Sequence, residues 1–257
     1  MSLPVFVVSP AEFAAAEGGA RIDFTGAEAQ HAAAVRRIRV GERVDVVDGA
    51  GGRARGAVTD VSKQRVSVEV EEWGREAASS PQLVLVQALA KGGRDEQALE
   101  TATELGISRA LPWQAQRSVA VWSGPKIPKA VARWEAIALA AAKQSRRSWV
   151  PAVDQPRSTR ELCKWIQAVT SQGWLVALMH EEATAALTEL PVAGDCPGVA
   201  LVVGPEGGIG EEETAALVTA GAHLVRLGPH VLRTSSAGPA GLAVLATRLN
   251  LWSARGQ

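Results

Sequence analysis

The front of the chain alternates apolar and polar residues in short runs. From Val5 to Glu71, β-branched segments are separated by turn residues. VDVVDGAGGRARGAVTDV, followed by RVSVEVEE, has the period of two that is typical of antiparallel strands. Asp48 to Gly52 predict a hairpin turn, and one helix is predicted between Gly26 and Arg37. We therefore expect a small β-rich module.

Behind this module, continuous apolar runs alternate with helical segments. The polar, small-residue stretch between Glu71 and Pro81 is typical of a linker, and we place the domain boundary between residues 74 and 75. Strands are predicted at 83–90, 174–179, 198–204 and 223–228. Helices are predicted at 94–105, 129–147, 211–221 and 239–252. This alternation favours an α/β fold with a mainly parallel sheet.

Composition fits a folded protein with a large core, because 47% of the 257 residues are hydrophobic. Lysine plus arginine and aspartate plus glutamate both total 27, so the net charge neither requires nor excludes a nucleic acid. Local charge is more informative. Residues 113–150 contain seven basic side chains against one acid, and residues 31–65 contain eight against four. Both surpluses suit phosphate contacts, although a charge run is more often a solvated face.

The sequence does not indicate a metal-binding, a disulfide-rich or a membrane-spanning protein. The two cysteines, Cys163 and Cys196, lie in no pattern with zinc-ligand spacing and cannot form a disulfide framework. No apolar run approaches the roughly 18 residues of a membrane helix. The start of the chain has no basic region that would mark a signal peptide. We expect a cytoplasmic protein without a metal.

The sharpest local feature is ALVVGPEGGIGEEE, in which a strand ends in a glycine-rich turn and a helix opens with three glutamates. Its glycine spacing differs from the dinucleotide fingerprint, and it lacks the GK[ST] of a phosphate-binding loop. Taken alone, the motif is best explained as a strand-to-helix turn before a capped helix.

A second turn, RLGPHVLRTSSAGPAGLAVL, follows about twenty residues later, and WLVALMHEE supplies a third strand end. Loops at the carboxyl ends of neighbouring parallel strands meet in one crevice. We therefore expect 204–208 and 227–233 to line a single ligand site.

These motifs, in this order, resemble the RsmE family of ribosomal RNA methyltransferases, which belongs to the SPOUT superfamily. GPEGG, then LG-x-x-VLR-T, then a terminal apolar helix is similar to the family's C-terminal signature. KGGRDEQALETATELGISRALPWQAQRS (91–118) and KAVARWEAIALAAAKQSRRSWVPAV (129–153) resemble its central motifs. HAAAVRRIRVGERVDVVDGAG (31–51) resembles its front motif, so the likeness covers most of the chain.

The resemblance implies a PUA-like RNA-binding β-barrel domain at 1–74 and a SPOUT domain with a trefoil knot at 75–257. It also implies a homodimer that uses S-adenosylmethionine (SAM) to methylate N3 of a uridine in 16S ribosomal RNA, as free RNA or in the assembled small subunit. The cofactor-site candidates that it implies are Leu178, Met179, His180, Gly204, Pro205, Glu206, Gly207, Gly208, Leu227, Gly228, Val231, Leu232 and Arg233.

The chain departs from the family pattern at two places. VLRTSSA has Ser235 where many members have glutamate and Ser236 where they have threonine. Thr101 replaces the lysine that usually precedes ATELG. A role that needs a carboxylate at 235, or an RNA contact from a lysine at 101, is therefore not expected here.

Two residues are candidates for catalysis. Uridine N3 carries a proton, so negative charge develops on the base when that proton leaves, and Arg233 could stabilise this charge or hold a phosphate. Alternatively, Arg233 forms a structural ion pair. Glu206 could act as a base or could anchor its loop. The histidines have no paired carboxylate at a recognisable spacing.

RNA contacts are expected from basic side chains and one histidine, namely His31, Arg36, Arg37, Arg39, Arg117, Lys143, Arg146 and Arg147. Two other functions stay open. Another SPOUT activity, such as ribose 2′-O-methylation, would share the cofactor pocket. A noncatalytic ribosome-assembly factor could retain the fold, but the intact GPEGG and LGPHVLR loops argue against that function.

Overall fold

The computed structural model describes residues 3–252. The chain forms two compact units: the first extends to Ala78 and also contains Ala142–Val150, and the second contains Ser79–Ala141 and continues from Pro151. The division in the structure thus lies close to the boundary predicted after residue 74. The pattern along the sequence did not predict that 142–150 folds with the first unit.

The first unit is built on one five-stranded sheet in the order β1-β3-β4-β5-β2. Its strands are β1 (Val5–Val7), β2 (Arg21–Thr25), β3 (Arg43–Val47), β4 (Gly52–Val61) and β5 (Arg65–Arg75). Strands β1 and β3 are parallel, and the other pairs are antiparallel as predicted. The predicted turn at 48–52 joins β3 to β4.

Helical segments of the first unit are α1 (Pro10–Ala16), α2 (Gly26–Gln30) and a π-helical turn, His31–Arg36. The last two occupy the predicted helix. The prediction of a single helix in this region is wrong, because α1 is also present. Its signal was readable: Ser9 accepts a hydrogen bond from the Glu12 N–H, the Glu12 carboxylate accepts one from the Ser9 N–H, and Pro10 fits the first turn.

Aromatic residues hold the first unit's core together. Phe6 and Phe24 stack with ring centroids 5.3 Å apart, and Phe13 meets Trp73 edge to face at the same distance. Alternate residues of the strands, such as Val44 and Val46, or Val66 and Val68, are completely buried around them. The period of two in the sequence therefore reports the inward face of this sheet.

Gly56 marks a bulge between β4 and β5 that only glycine fits. A Cβ at this position would lie 1.9 Å from the Glu69 carbonyl oxygen, and the strand register shifts here. We expect Gly56→Ala to lower the free energy of unfolding by about 2 kcal/mol in urea denaturation, because backbone must move. Gly74→Ala is the matched control, since nothing lies within 4 Å of a Cβ there. Equal effects of the two changes would refute this explanation.

The second unit contains a parallel sheet in the order β12-β10-β11-β6-β7-β8, with β9 also paired to β7. Its strands are β6 (Gln82–Ala88), β7 (Arg109–Gln114), β8 (Ala152–Val153), β9 (Arg157–Ser158), β10 (Leu175–Met179), β11 (Gly198–Val203) and β12 (His223–Val225). The remaining helices of the chain are α3 (Arg94–Glu104), α4 (Lys126–Gln144), α5 (Thr159–Thr170), α6 (Glu211–Thr219) and α7 (Thr234–Arg248). A 3₁₀ turn lies at Leu187–Glu189.

Both faces of this sheet are buried, which explains its continuous apolar strands. In β6, Leu83 and Leu85 belong to one core with α3 and α7, whereas Val84 and Val86 belong to a second core with α5 and α6. Helix α7 approaches closely because it carries glycine: a Cβ on Gly241 would lie 2.7 Å from the Leu201 Cδ2. Within residues 3–252, no helix is long and apolar enough to cross a membrane.

Helix α7 begins five residues before its predicted start at 239. The N–H groups of Ser236 and Ala237 both donate to the Arg233 carbonyl, which starts the helix there. Pro239 lies inside the helix and removes only one N–H donor near its beginning. Arg233 is consequently the N-cap residue of α7, at the edge of the sheet where β10, β11 and β12 end.

Candidate functional site

A cleft of about 1010 Å³ opens where three loops leave the carboxyl ends of β10, β11 and β12. Twelve of the thirteen candidates for cofactor binding line it, namely Met179, His180, Gly204, Pro205, Glu206, Gly207, Gly208, Leu227, Gly228, Val231, Leu232 and Arg233. Leu178 is not among the lining residues; its side chain is fully buried in the sheet core. Alternation along β10 points Leu178 into that core, whereas the next residue, Met179, lines the cleft.

The glycine-rich loop, residues 204–210, follows β11 and is closed by a tight turn. The Gly208 N–H donates to the Pro205 carbonyl over 3.0 Å, and Gly208 has a φ of +71°, which side chains rarely adopt. A Cβ on Gly204 would lie 2.7 Å from the Ile209 Cγ1. The glycines of this loop thus allow the chain to fold back on itself and to line the cleft.

Arg117, which follows β7, supports the glycine-rich loop from across β6. Its guanidinium donates to the Gly207 carbonyl over 3.2 Å. A Cβ on Gly207 would lie 3.1 Å from the Arg117 Cβ, so the two residues already pack closely. Arg117 also lines the cleft, so this predicted RNA-binding residue lies beside the candidate cofactor residues.

Glu206 is held by two donors, one from the loop that precedes α3 and one from the first residue of α3. Its Oε1 accepts from the Arg94 guanidinium at 2.9 Å and from the Lys91 N–H at 3.3 Å, and its side chain is 20% exposed. Of the two roles considered for Glu206, the geometry favours loop anchoring. Arg94 lines the cleft too, although no motif in the sequence predicts a role for it there.

The opposite wall is the 226–233 loop. Gly228 has a φ of +72°, Val231 is 75% exposed, and Leu232 is 39% exposed. The Arg233 side chain is also exposed, and no described residue accepts a hydrogen bond from its guanidinium or pairs with its charge. The structural ion pair considered for Arg233 is therefore not formed within residues 3–252.

Two histidines, His180 and His230, lie at the cleft, and neither is paired with a carboxylate among the described residues. The Nδ1 of His180 accepts from the Glu182 N–H at 3.2 Å, and the His180 N–H donates to the Val225 carbonyl. His230 lines the cleft from the opposite loop. Neither arrangement resembles a catalytic acid-base pair.

Comparison with known proteins settles the family. A model described as an RNA methyltransferase domain matches residues 78–246, and one described as an RNA methyltransferase PUA domain matches residues 24–71. The chain belongs to this RNA methyltransferase family. The cleft lies entirely within residues matched by the first of these models.

Relatives agree with the family over almost the whole chain. Ribosomal RNA small subunit methyltransferase E of Mycobacterium bovis is 42% identical over 229 residues, which cover 89% of this chain and 87% of that protein. The Bacillus subtilis protein of the same name is 31% identical over 237 residues, which cover 88% of this chain and 90% of that protein. The RsmE resemblance predicted from the motifs is thus confirmed.

Solved structures show the same fold. Ribosomal RNA small subunit methyltransferase E of Neisseria gonorrhoeae, solved bound to S-adenosyl methionine, has 25% identity and a TM-score of 0.81, and the match covers 96% of this chain and 98% of that one. A Legionella pneumophila protein solved in complex with SAM has 27% identity and a TM-score of 0.83, with the same coverage. The predicted PUA-like domain followed by a SPOUT domain is confirmed; the trefoil knot stays a prediction.

The eight residues predicted to contact RNA differ in how far their side chains are exposed to solvent. Seven of the eight lie in the first unit, because 142–150 joins it: His31, Arg36, Arg37, Arg39, Lys143, Arg146 and Arg147. Arg36, Arg37, Arg39 and Arg146 are exposed and have no ion-pair partner among the described residues. We call these four arginines the basic surface of the first unit.

The other three first-unit residues are less available. Lys143 pairs with Glu28 at 2.7 Å, and both side chains are less than one-fifth exposed. Burial lowers the pKa of the Arg147 guanidinium, although the nearby Glu76 opposes this shift. Burial, followed by the charge of Lys143, lowers the pKa of His31. Burial and contacts within the first unit therefore engage Lys143 and Arg147, and their contact with RNA stays a prediction.

The two departures from the family motif lie in contrasting places. Ser235 is only 9% exposed in the first turn of α7, whereas Thr101 lies half-buried in α3. Neither residue lines the cleft. Across residues 3–252, no three His, Cys, Asp or Glu side chains are grouped so that they could hold a metal ion.

Proposed function

We propose that this protein uses SAM to methylate N3 of a uridine in small-subunit ribosomal RNA. The observation that carries the proposal is the meeting of the glycine-rich loop and the 226–233 loop in one cleft, with an unpaired Arg233 at its edge. The named relatives act on this class of RNA, and two structural neighbours hold SAM.

The cleft suits SAM in both size and chemistry. Its volume is sufficient for a ligand of this size, and its walls combine apolar side chains such as Met179, Leu227 and Val231 with exposed backbone. Side chains at 207 and 208 would crowd or strain the loop, so glycine keeps its amides and carbonyls accessible. Residues of the 179–180, 204–208 and 227–233 segments would hold the cofactor.

When bound, SAM supplies an electrophilic methyl group on a positively charged sulfur. The protein must then bring uracil N3 into line with that group and stabilise the base as its N3 proton passes to solvent water. The resulting negative charge spreads onto the uracil carbonyl oxygens, and the Arg233 guanidinium is free to donate to one of them. Glu206 holds the loop through Arg94 and Lys91 in this mechanism and is not the base.

The basic surface of the first unit is our candidate for RNA docking. We expect Arg36→Gln with Arg39→Gln to weaken RNA binding and to reduce the slope of log K against log salt by about 1.5, because each phosphate contact contributes roughly 0.7 to 0.9. Filter binding between about 50 and 200 mM salt measures this slope. Arg21→Gln with Arg43→Gln is the control, as Asp23 and Glu71 already neutralise these arginines. An equal change of slope in both would contradict the assignment.

The proposal includes a homodimer located in the cytoplasm, where ribosomal RNA is the substrate, and it gives no step to a metal. Light scattering during gel filtration tests the assembly. We expect a mass of about twice the chain mass of 26.9 kDa; a monomer at micromolar concentration would contradict the dimer without touching the chemistry.

The deciding experiment is methyl transfer from labelled SAM to small ribosomal subunits that lack native methylation, followed by nucleoside mass spectrometry. We expect N3-methyluridine at one position. A ribose-methylated product would identify the 2′-O activity instead. SAM binding without transfer to free RNA or subunits would favour an assembly role, and failure to bind SAM would overturn the proposed function.

A further inference from the structure

A buried glutamine interrupts the apolar central strand of the second unit. Gln87 lies near the end of β6, opposite Val203 of β11, and is completely buried. Its Nε2 donates to the Thr234 Oγ1 over 2.8 Å and to the Ala88 carbonyl over 3.1 Å. The Thr234 hydroxyl in turn donates to the Gly204 carbonyl over 2.8 Å. We call these contacts the Gln87–Thr234 hydrogen-bond chain.

A contribution to stability does not by itself explain the Gln87–Thr234 hydrogen-bond chain. A buried amide loses its hydration, and each unpaired polar atom adds to the cost. The Oε1 of Gln87 is such an atom, since it has no hydrogen-bond partner among the described residues. An apolar residue of similar shape, like the leucines and valines of the same strand, would avoid that cost. The glutamine is therefore a candidate for a functional role.

The Gln87–Thr234 hydrogen-bond chain joins the two walls of the cleft. Gly204 is the first residue of the glycine-rich loop, and Thr234 follows Arg233 directly at the start of α7. One threonine hydroxyl thus connects the backbone of the loop proposed to hold SAM with the residue proposed to stabilise the substrate. Such a rigid connection keeps two groups in register to within fractions of an ångström, which in-line transfer requires.

We propose that Thr234 and Gln87 are positioning residues that couple the glycine-rich loop to Arg233, an inference that rests on the proposed function. Neither side chain needs to touch the reacting atoms. Thr234 fixes the Gly204 carbonyl and the first turn of α7 together, and Gln87 orients the threonine hydroxyl by donating to its oxygen. Loss of the hydroxyl releases both walls at once.

Thr234→Val removes the hydroxyl while keeping the side-chain shape. We expect the affinity for SAM and the kcat at saturating SAM each to fall at least about tenfold, since small displacements of reacting groups carry large rate penalties. Thr234→Ser should stay within about threefold of the parent, because it restores the hydroxyl. Thr103→Val is the matched control, since Thr103 is also fully buried in this unit and bonds within α3, to the Leu99 carbonyl.

Hydrogen exchange of the SAM-free protein gives a readout that does not depend on activity. In Thr234→Val we expect faster exchange in 204–210 and in 233–238, where the Ser236 and Ala237 amides donate to the Arg233 carbonyl. In Thr103→Val these segments should exchange as in the parent. Unchanged exchange in a folded Thr234→Val variant would overturn the coupling, whatever the protein methylates.

Gln87→Leu separates positioning from folding and serves if Thr234→Val does not fold. It removes an unpaired buried oxygen, so the melting temperature should be unchanged or higher, while kcat falls about tenfold. A stable and fully active Gln87→Leu variant would refute the role of Gln87. If the serine variant is as impaired as the valine variant, packing of the methyl group explains the effect and the hydrogen-bond role is wrong. A parent that neither binds SAM nor transfers methyl groups would overturn the proposed function and leave the exchange test valid.

Discussion

A Gly207→Val variant is expected to fold and yet lose at least about a hundredfold in affinity for SAM, equivalent to about 3 kcal/mol of binding free energy. A Cβ at 207 would already lie 3.1 Å from the Arg117 Cβ and 3.3 Å from the Arg117 carbonyl oxygen. A branched side chain must displace either the loop or its brace. Isothermal titration calorimetry with SAM measures the loss, and circular dichroism reports the fold.

Gly194→Val provides the control for this change. Gly194 lies in an exposed loop of the same unit, does not line the cleft, and has nothing within 4 Å of a Cβ. It should bind SAM as the parent does. If a folded Gly207→Val variant also binds SAM normally, the cofactor lies elsewhere and the assignment of the glycine-rich loop is wrong.

The architecture of the second unit was predictable because burial leaves a clear pattern. Strands covered on both faces form continuous apolar runs, and the sequence shows these as LVLV in β6, LVALM in β10 and GVALVV in β11. Convergence of their loops then follows from parallel pairing. Short strands such as β8 and β9, with two residues each, carry no periodicity and could not be recognised.

The return of residues 142–150 to the first unit was not predictable. Helix α4 has a regular apolar pattern, which identifies a helix but not the unit that its last turn joins. The segment is fixed by specific contacts: the Arg53 guanidinium donates to the Arg146 carbonyl, and the Gly51 N–H donates to the Ser148 carbonyl. Such polar contacts between distant residues have no signature in a single sequence.

The side-chain contacts at the cleft could not be predicted from the sequence either. The backbone positions that line it could be predicted from the motifs, apart from Leu178, whose direction depends on strand register. The pairing of Glu206 with Arg94 and the contact of Arg117 with the Gly207 carbonyl join loops that are far apart in sequence. The same holds for Gln87 and Thr234, which are separated by 147 positions.

Arg233→Ala is expected to lower kcat by a factor of about 100 to 1,000, as removal of a single preorganised donor to developing negative charge commonly does. The affinity for SAM should change little, because the 227–233 loop would hold the cofactor through its backbone and apolar side chains. The Arg233 guanidinium forms no hydrogen bond or ion pair with a described residue, so its removal leaves the loop's other contacts intact. Steady-state kinetics with small subunits, together with calorimetry for SAM, separates the two effects. Arg160→Ala removes an exposed charge of the same unit, outside the cleft, and serves as the control.

The changes in kcat and KM distinguish the two roles considered for Arg233. If the guanidinium holds an RNA phosphate throughout the reaction, Arg233→Ala raises KM for the subunit and leaves kcat unchanged. If it acts on the uracil, kcat falls, and Arg233→Lys recovers only part of the rate because an ammonium group lacks the planar donor fork. Unchanged kcat and KM in Arg233→Ala would remove the residue from both roles. The unpaired position of Arg233, beside a loop tied to α7 through Thr234, favours action on the base.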